Sequence, residues 1–118
     1  MVTREFSLSI ASFNNTTAVS DPIDITSFQG CAFAVVVTGA SGAGSMKLQA
    51  SFTPSVSTSW VDIPATLGGA TVTQTITVGT TPHYLNTGNI AYYPSVRVSV
   101  TSTNTNPITV AIVARAKG

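Results

Sequence analysis

Charge is what this sequence has least of. Five Lys or Arg and four Asp or Glu make nine charged residues in 118, with a net charge of +1. An ordinary globular domain has about a quarter of its residues charged. The cations Arg4, Lys47, Arg97, Arg115 and Lys117 are scattered, so there is no basic footprint and nucleic acid is not an expected partner. A single cysteine, Cys31, excludes an intrachain disulfide. With a single histidine, His83, it also cannot supply a structural zinc site. The longest apolar run, residues 31–37, is far short of the roughly twenty residues of a membrane helix. Residues 1–5 hold no apolar leader core.

Groups for catalysis are equally scarce. His83 follows Pro82 with no acidic residue nearby, so it reads as a solvated loop histidine and not as a base held by a carboxylate. Asp21 and Asp24 lie three residues apart, but a hard-cation site needs more oxygen ligands in one loop, and the pair reads as turn-forming. The glycine-rich residues 39–44 lack the Gly-Lys-Ser/Thr ending and the helix that would cradle a phosphate. The expectation is therefore a non-enzyme with no catalytic residue, no cofactor and no metal. Cys31 opens an apolar strand and reads as buried and inert.

What the chain does contain is hydroxyl and β-branched residues. Fourteen serines and nineteen threonines exceed a quarter of the sequence, and 43% is apolar. Disorder requires low hydrophobicity and high net charge, and this chain has neither. Thr, Val and Ile suit a pleated, half-buried surface.

The apolar pattern has the period of strands. Phe6, Leu8 and Ile10 alternate with polar residues, and residues 19–25 form a strand interrupted at Asp21-Pro22. Residues 31–38 are continuously apolar, which predicts a central strand covered on both faces. Met46, Leu48, Ala50 and Phe52 share one face of the next strand, and Trp60 lies at a short strand ended by Pro64. Val72, Ile76 and Val78 face away from four threonines, and residues 82–94 read as irregular. Val96, Val98 and Val100, then Ile108, Val110, Ile112 and Ala114, complete the pattern. About eight strands, with turns every 8–12 residues, predict a single all-β domain over residues 1–118. Its expected form is an antiparallel two-sheet β-sandwich, jelly-roll-like. The predicted core includes Phe6, Leu8, Ile10, Val35, Leu48, Trp60, Ile76, Val98 and Val110.

In motif order the chain resembles a family of small β-sandwich virion proteins of tailed bacteriophages. Val36-Val37-Thr38-Gly39 ends an apolar strand, Leu48-Gln49-Ala50-Ser51 follows, and then Trp60-Val61-Asp62-Ile63. Tyr93 and Val96-Arg97-Val98 come next, and the chain closes on Lys117-Gly118. Family members commonly have an Asn-Asp-Gly turn before the tryptophan; here Thr53-Pro54-Ser55-Val56 stands in its place, and Pro94-Ser95 interrupts the approach to Val96.

The resemblance implies a structural role in a virion. The leading expectation is a capsid decoration or cement protein that contacts the major capsid protein as a homo-oligomer or lattice component. A tail, neck or fibre component is the alternative, and a carbohydrate-binding module for host adsorption is an alternative of another class. Neutral Ser/Thr/Val surface is inexpensive to desolvate, and tyrosine is enriched where surfaces are buried against partners. Candidate contacts lie in residues 1–5, 39–44 and 82–94, namely Thr3, Arg4, Glu5, Ser41, Tyr84, Tyr92 and Tyr93.

Overall fold

A computed structural model of the chain describes residues 3–26, 28, 30–39, 42–63, 73–79, 81–86, 94–103 and 106–117. It is all-β. The strands are β1 (Thr3–Phe13), β2 (Thr17–Val19), β3 (Ile23–Asp24), β4 (Gly30–Gly39), β5 (Ala43–Ser51) and β6 (Val61–Ile63). They continue with β7 (Thr73–Thr77), β8 (His83–Asn86), β9 (Ser95–Ser102) and β10 (Ile108–Lys117). One short 3-10 turn, Ser57–Ser59, precedes β6.

All pairings are antiparallel, in two sheets. The first has the order β1-β10-β4-β8; in the second β9 and β5 are central, with β2 and β3 along β9 and β6 and β7 along β5. Because β2/β3 and β6/β7 each share one edge, ten segments occupy eight positions. In chain order those positions alternate between the sheets, except that β5 and β6/β7 follow one another in the second. The expected number, eight, equals the number of positions, but it counted β6 and β7 as separate strands and lacked β8.

The core lies between the two inner faces. β10 alternates perfectly, with Ile108, Val110, Ile112, Ala114 and Ala116 buried and the residues between them exposed. Phe33 and Val35 of β4 meet Leu48 of β5 and Val98 of β9 in the same cluster. Ile10, Val35, Leu48, Ile76, Val98 and Val110 are buried as the sequence predicts, whereas Phe6 and Leu8 are only partly buried against the core.

Four expectations need correction. β4 is interior in its sheet, yet only one face is packed: Cys31, Phe33, Val35 and Val37 are buried while Ala32 is exposed. The alanines and valines of its outer face made it read as covered on both sides. Phe52 lies beyond the end of β5 and is 66% exposed. The stretch after Pro82 holds β8, which pairs with β4 from Ala32 to Val35; Leu85 is its one buried apolar residue, too little to register as a period. Trp60 is not in the core.

The interruptions have local causes. Pro22 cannot donate to a ladder, and between β2 and β3 Ser20 replaces the missing contact. Its Oγ accepts from Val98 N at 3.0 Å and its own N–H donates to Val98 O at 2.9 Å. At the Asn14-Asn15 turn, Asn15 has φ 45°, a left-handed conformation that asparagine tolerates.

Candidate functional site

The outer face of the second sheet holds the most organised polar cluster among the described residues. Side chains pointing outward from β5, β6 and β9 fall in one row, because Gln49 is registered between Asp62 and Arg97. Arg97 Nε donates to Gln49 Oε1 at 2.9 Å, and Gln49 Nε2 donates to Asp62 Oδ1 at 3.1 Å. Lys47 Nζ, one outward position along β5, reaches Asp62 Oδ2 at 3.0 Å. Arg97 Cζ lies 4.2 Å from the centroid of the Trp60 ring, within cation–π range.

Trp60 therefore sits on the outside, half-buried beneath a guanidinium. The loop before it sets its position. Val56 N donates to Thr53 O at 2.9 Å, so the segment that departs from the family pattern is still a β-turn, with Pro54 at the position where proline pre-sets φ. Ser51 Oγ and Ser59 Oγ lie 2.6 Å apart, and Thr53 N donates to Ser51 Oγ at 2.9 Å. These bonds tie the loop back to β5.

Electrostatics follow from the same contacts. Hydrogen bonds from Gln49, then from Lys47, hold the Asp62 carboxyl below the usual aspartate range. Partial burial lowers Arg97 slightly, which leaves it a permanent cation. Lys47, Asp62 and Arg97 are three of the nine charges, so a third of the chain's charge is concentrated here.

The outer face of the first sheet is different in kind. The rows Ser7–Val113–Ala34–Tyr84 and Ser9–Ala111–Val36 cross it. Val113 is 43% and Tyr84 66% exposed. Among the described residues the ion pair on this face is at the strand ends, where Arg115 Nη2 meets Glu5 Oε2 at 3.2 Å.

The predicted contact residues do not form one site. Thr3, Arg4 and Glu5 begin β1 as paired strand residues, not as a free arm; Arg4 lies 4.9 Å over the Phe6 ring. Tyr84 is on β8, at the opposite edge of the same sheet, roughly 14 Å away across three strand spacings. Ser41, Tyr92 and Tyr93 lie outside the described residues.

His83 is a half-buried strand residue and not a solvated one; its Nε2 lies 3.2 Å from both Thr77 N and Thr77 O, linking β8 to the end of β7. Asp24 accepts from Thr26 N at 3.0 Å and from Thr26 Oγ1 at 2.6 Å, the turn-forming geometry expected of it. Cys31 is buried and its thiol is pushed up to about 12 by desolvation.

The Trp60 cluster escaped sequence reading because its members come from three segments up to 50 residues apart. The available signal was their parity: Lys47, Gln49 and Arg97 each occupy an outward position flanked by buried apolar residues.

Among known proteins, no family model and no curated protein matches the chain. Its structure is similar to that of the SPBc2 prophage-derived protein YomS, with a TM-score of 0.54 and 14% identity. The likeness covers 97% of this chain and 96% of that one. At that identity it is a likeness of fold.

Proposed function

We propose that this chain is a non-enzymatic structural protein of a tailed-phage virion, an accessory protein that decorates the capsid by contacting the major capsid protein. The observation that carries the reading is the end-to-end likeness of fold to a prophage-derived protein. The sequence motifs resemble small virion β-sandwiches independently of that likeness. The neutral outer face around Ala111, Val113 and Ala34 fits the role, since such a face is inexpensive to desolvate against a lattice neighbour.

A carbohydrate-binding role draws on the outward Trp60 with its Arg97, Gln49, Asp62 and Lys47 neighbours. Against it, Arg97 covers the ring face that a sugar would need. The exposed ring of Phe52 follows β5 of the second sheet and that of Tyr84 is on β8 of the first, so they make no shared platform.

Add-back to particles lacking the protein tests the proposal. The purified chain is expected to rebind to saturation and to stay bound at about 1 M salt, where charge pairs are screened within roughly 3 Å. Failure to rebind, or release by modest salt, contradicts it.

A further inference from the structure

We propose that β1 is a pairing edge for a second copy of this chain. Two β1 strands meet antiparallel about a two-fold axis through Leu8 and join two four-stranded sheets into one of eight.

Among the described residues the sandwich shows four strand edges. β8 follows Pro82. The β2/β3 edge consists of three- and two-residue pieces broken at Asp21-Pro22, and the β6/β7 edge is divided between two segments. Short, proline-flanked or broken edges are the devices that prevent strand addition.

β1 lacks these devices. It runs for eleven residues and pairs only with β10. Among the described residues nothing hydrogen-bonds its other edge. It has no proline and no charge beyond Arg4 and Glu5. Both of those are occupied, Arg4 over Phe6 and Glu5 with Arg115. A bulge between Ile10 and Phe13 affects only its far end.

Burial points the same way. Phe6 and Leu8 face inward but are only half-buried, whereas Ala114 and Ile112, their partners on β10, are 0% and 1% exposed. Phe6 and Leu8 lie on an edge strand, beyond which no other described strand of the sheet lies.

The occupant follows from self-complementarity. A two-fold pairing keeps inner faces together only when residues of like parity oppose. Centred on Arg4 or Glu5 it would oppose like charges. Centred on Leu8 it sets Phe6 against the partner copy's Ile10, Ser7 against Ser9, and Arg4 and Glu5 against the neutral Ser12 and Ala11. An isologous two-fold interface is the commonest form of homodimer. The inference does not depend on the virion reading, and either can fail alone.

Sedimentation of the full chain from about 1 to about 100 μM tests it. The wild type is expected to form a dimer of twice 12.1 kDa. Ser7 and Ser9 are exposed on the outer face, so Ser7→Lys/Ser9→Lys and Ser7→Glu/Ser9→Glu leave the core intact, which thermal melting verifies. Each doubly substituted variant sets like charges directly opposite and is expected to weaken the dimer at least about tenfold. Mixing the two restores a dimer, a rescue that a merely structural effect of the substitutions would not give. A wild type that stays monomeric, an assembly of any order that the lysine variant leaves intact, or a loss that mixing does not restore would overturn the proposal.

Discussion

Replacing Leu48, which is wholly enclosed between the sheets, by alanine removes packed side chain that the surrounding strands cannot refill. The expected loss is about 2–5 kcal/mol in denaturant unfolding. Trp60→Ala is expected to cost less, despite the larger side chain, because the indole is only half-buried and lies under Arg97 on the outside of the sheet. Trp60 reads as core from sequence because a lone tryptophan beside Val61 and Ile63 usually is. What its own segment does not show is Arg97, 37 positions later, lying over the ring. Cys31 was legible, since an apolar strand opening predicts a buried thiol. With that thiol pushed up to about 12, it is expected to stay unreactive toward a disulfide reagent at pH 7 and to react fully on unfolding. The Asp62 carboxyl is held low by Gln49 and Lys47, so ionised Asp62 favours the fold above the unfolded-state pKa. That contribution disappears as pH falls through the lower folded value. Asp62→Asn should therefore cost stability near neutral pH and nothing in strong acid. The difference is small and salt-sensitive, because the side chain is 43% exposed.

At the scale of elements, alternation carried the most information. β9 and β10 were legible because Val96, Val98 and Val100, and Ile108, Val110, Ile112 and Ala114, hold every second, buried position. β8 was not, since four residues with one buried leucine have no period and owe their pairing to the neighbouring β4. The gap in the β2/β3 edge was visible as Asp21-Pro22, but its repair by Ser20 was not. Ser20→Ala leaves Val98 N–H without its side-chain acceptor and is expected to cost about 1–3 kcal/mol. Gly44 has a similar tertiary reason. A Cβ there would run into the backbone carbonyl of Thr101 on β9, so Gly44→Ala should wedge β5 from β9. The expected result is a lower melting temperature, with faster amide exchange along the Gly44–Ser102 end of that ladder.

Across the whole molecule, composition already pointed to the all-β class, and the spacing of turns located every strand except β8. The distribution of strands between two sheets needed the structure, because no local pattern says that β10 inserts between β1 and β4. The same holds for charge. Nine charged residues were countable, but the joining of Lys47, Asp62 and Arg97 into one bonded cluster, while Glu5, Arg115 and Lys117 sit at one end of the opposite outer face, is a product of register. The rest of that opposite face is mainly alanine, valine and serine, which suits contact with neighbours and supports the functional proposal. Under that proposal, quantitative mass spectrometry of purified virions tests the claim most directly. The account predicts hundreds of copies per particle, in fixed ratio to the major capsid protein. A handful of copies would move the protein to the tail or neck, and its absence from purified particles would contradict the account.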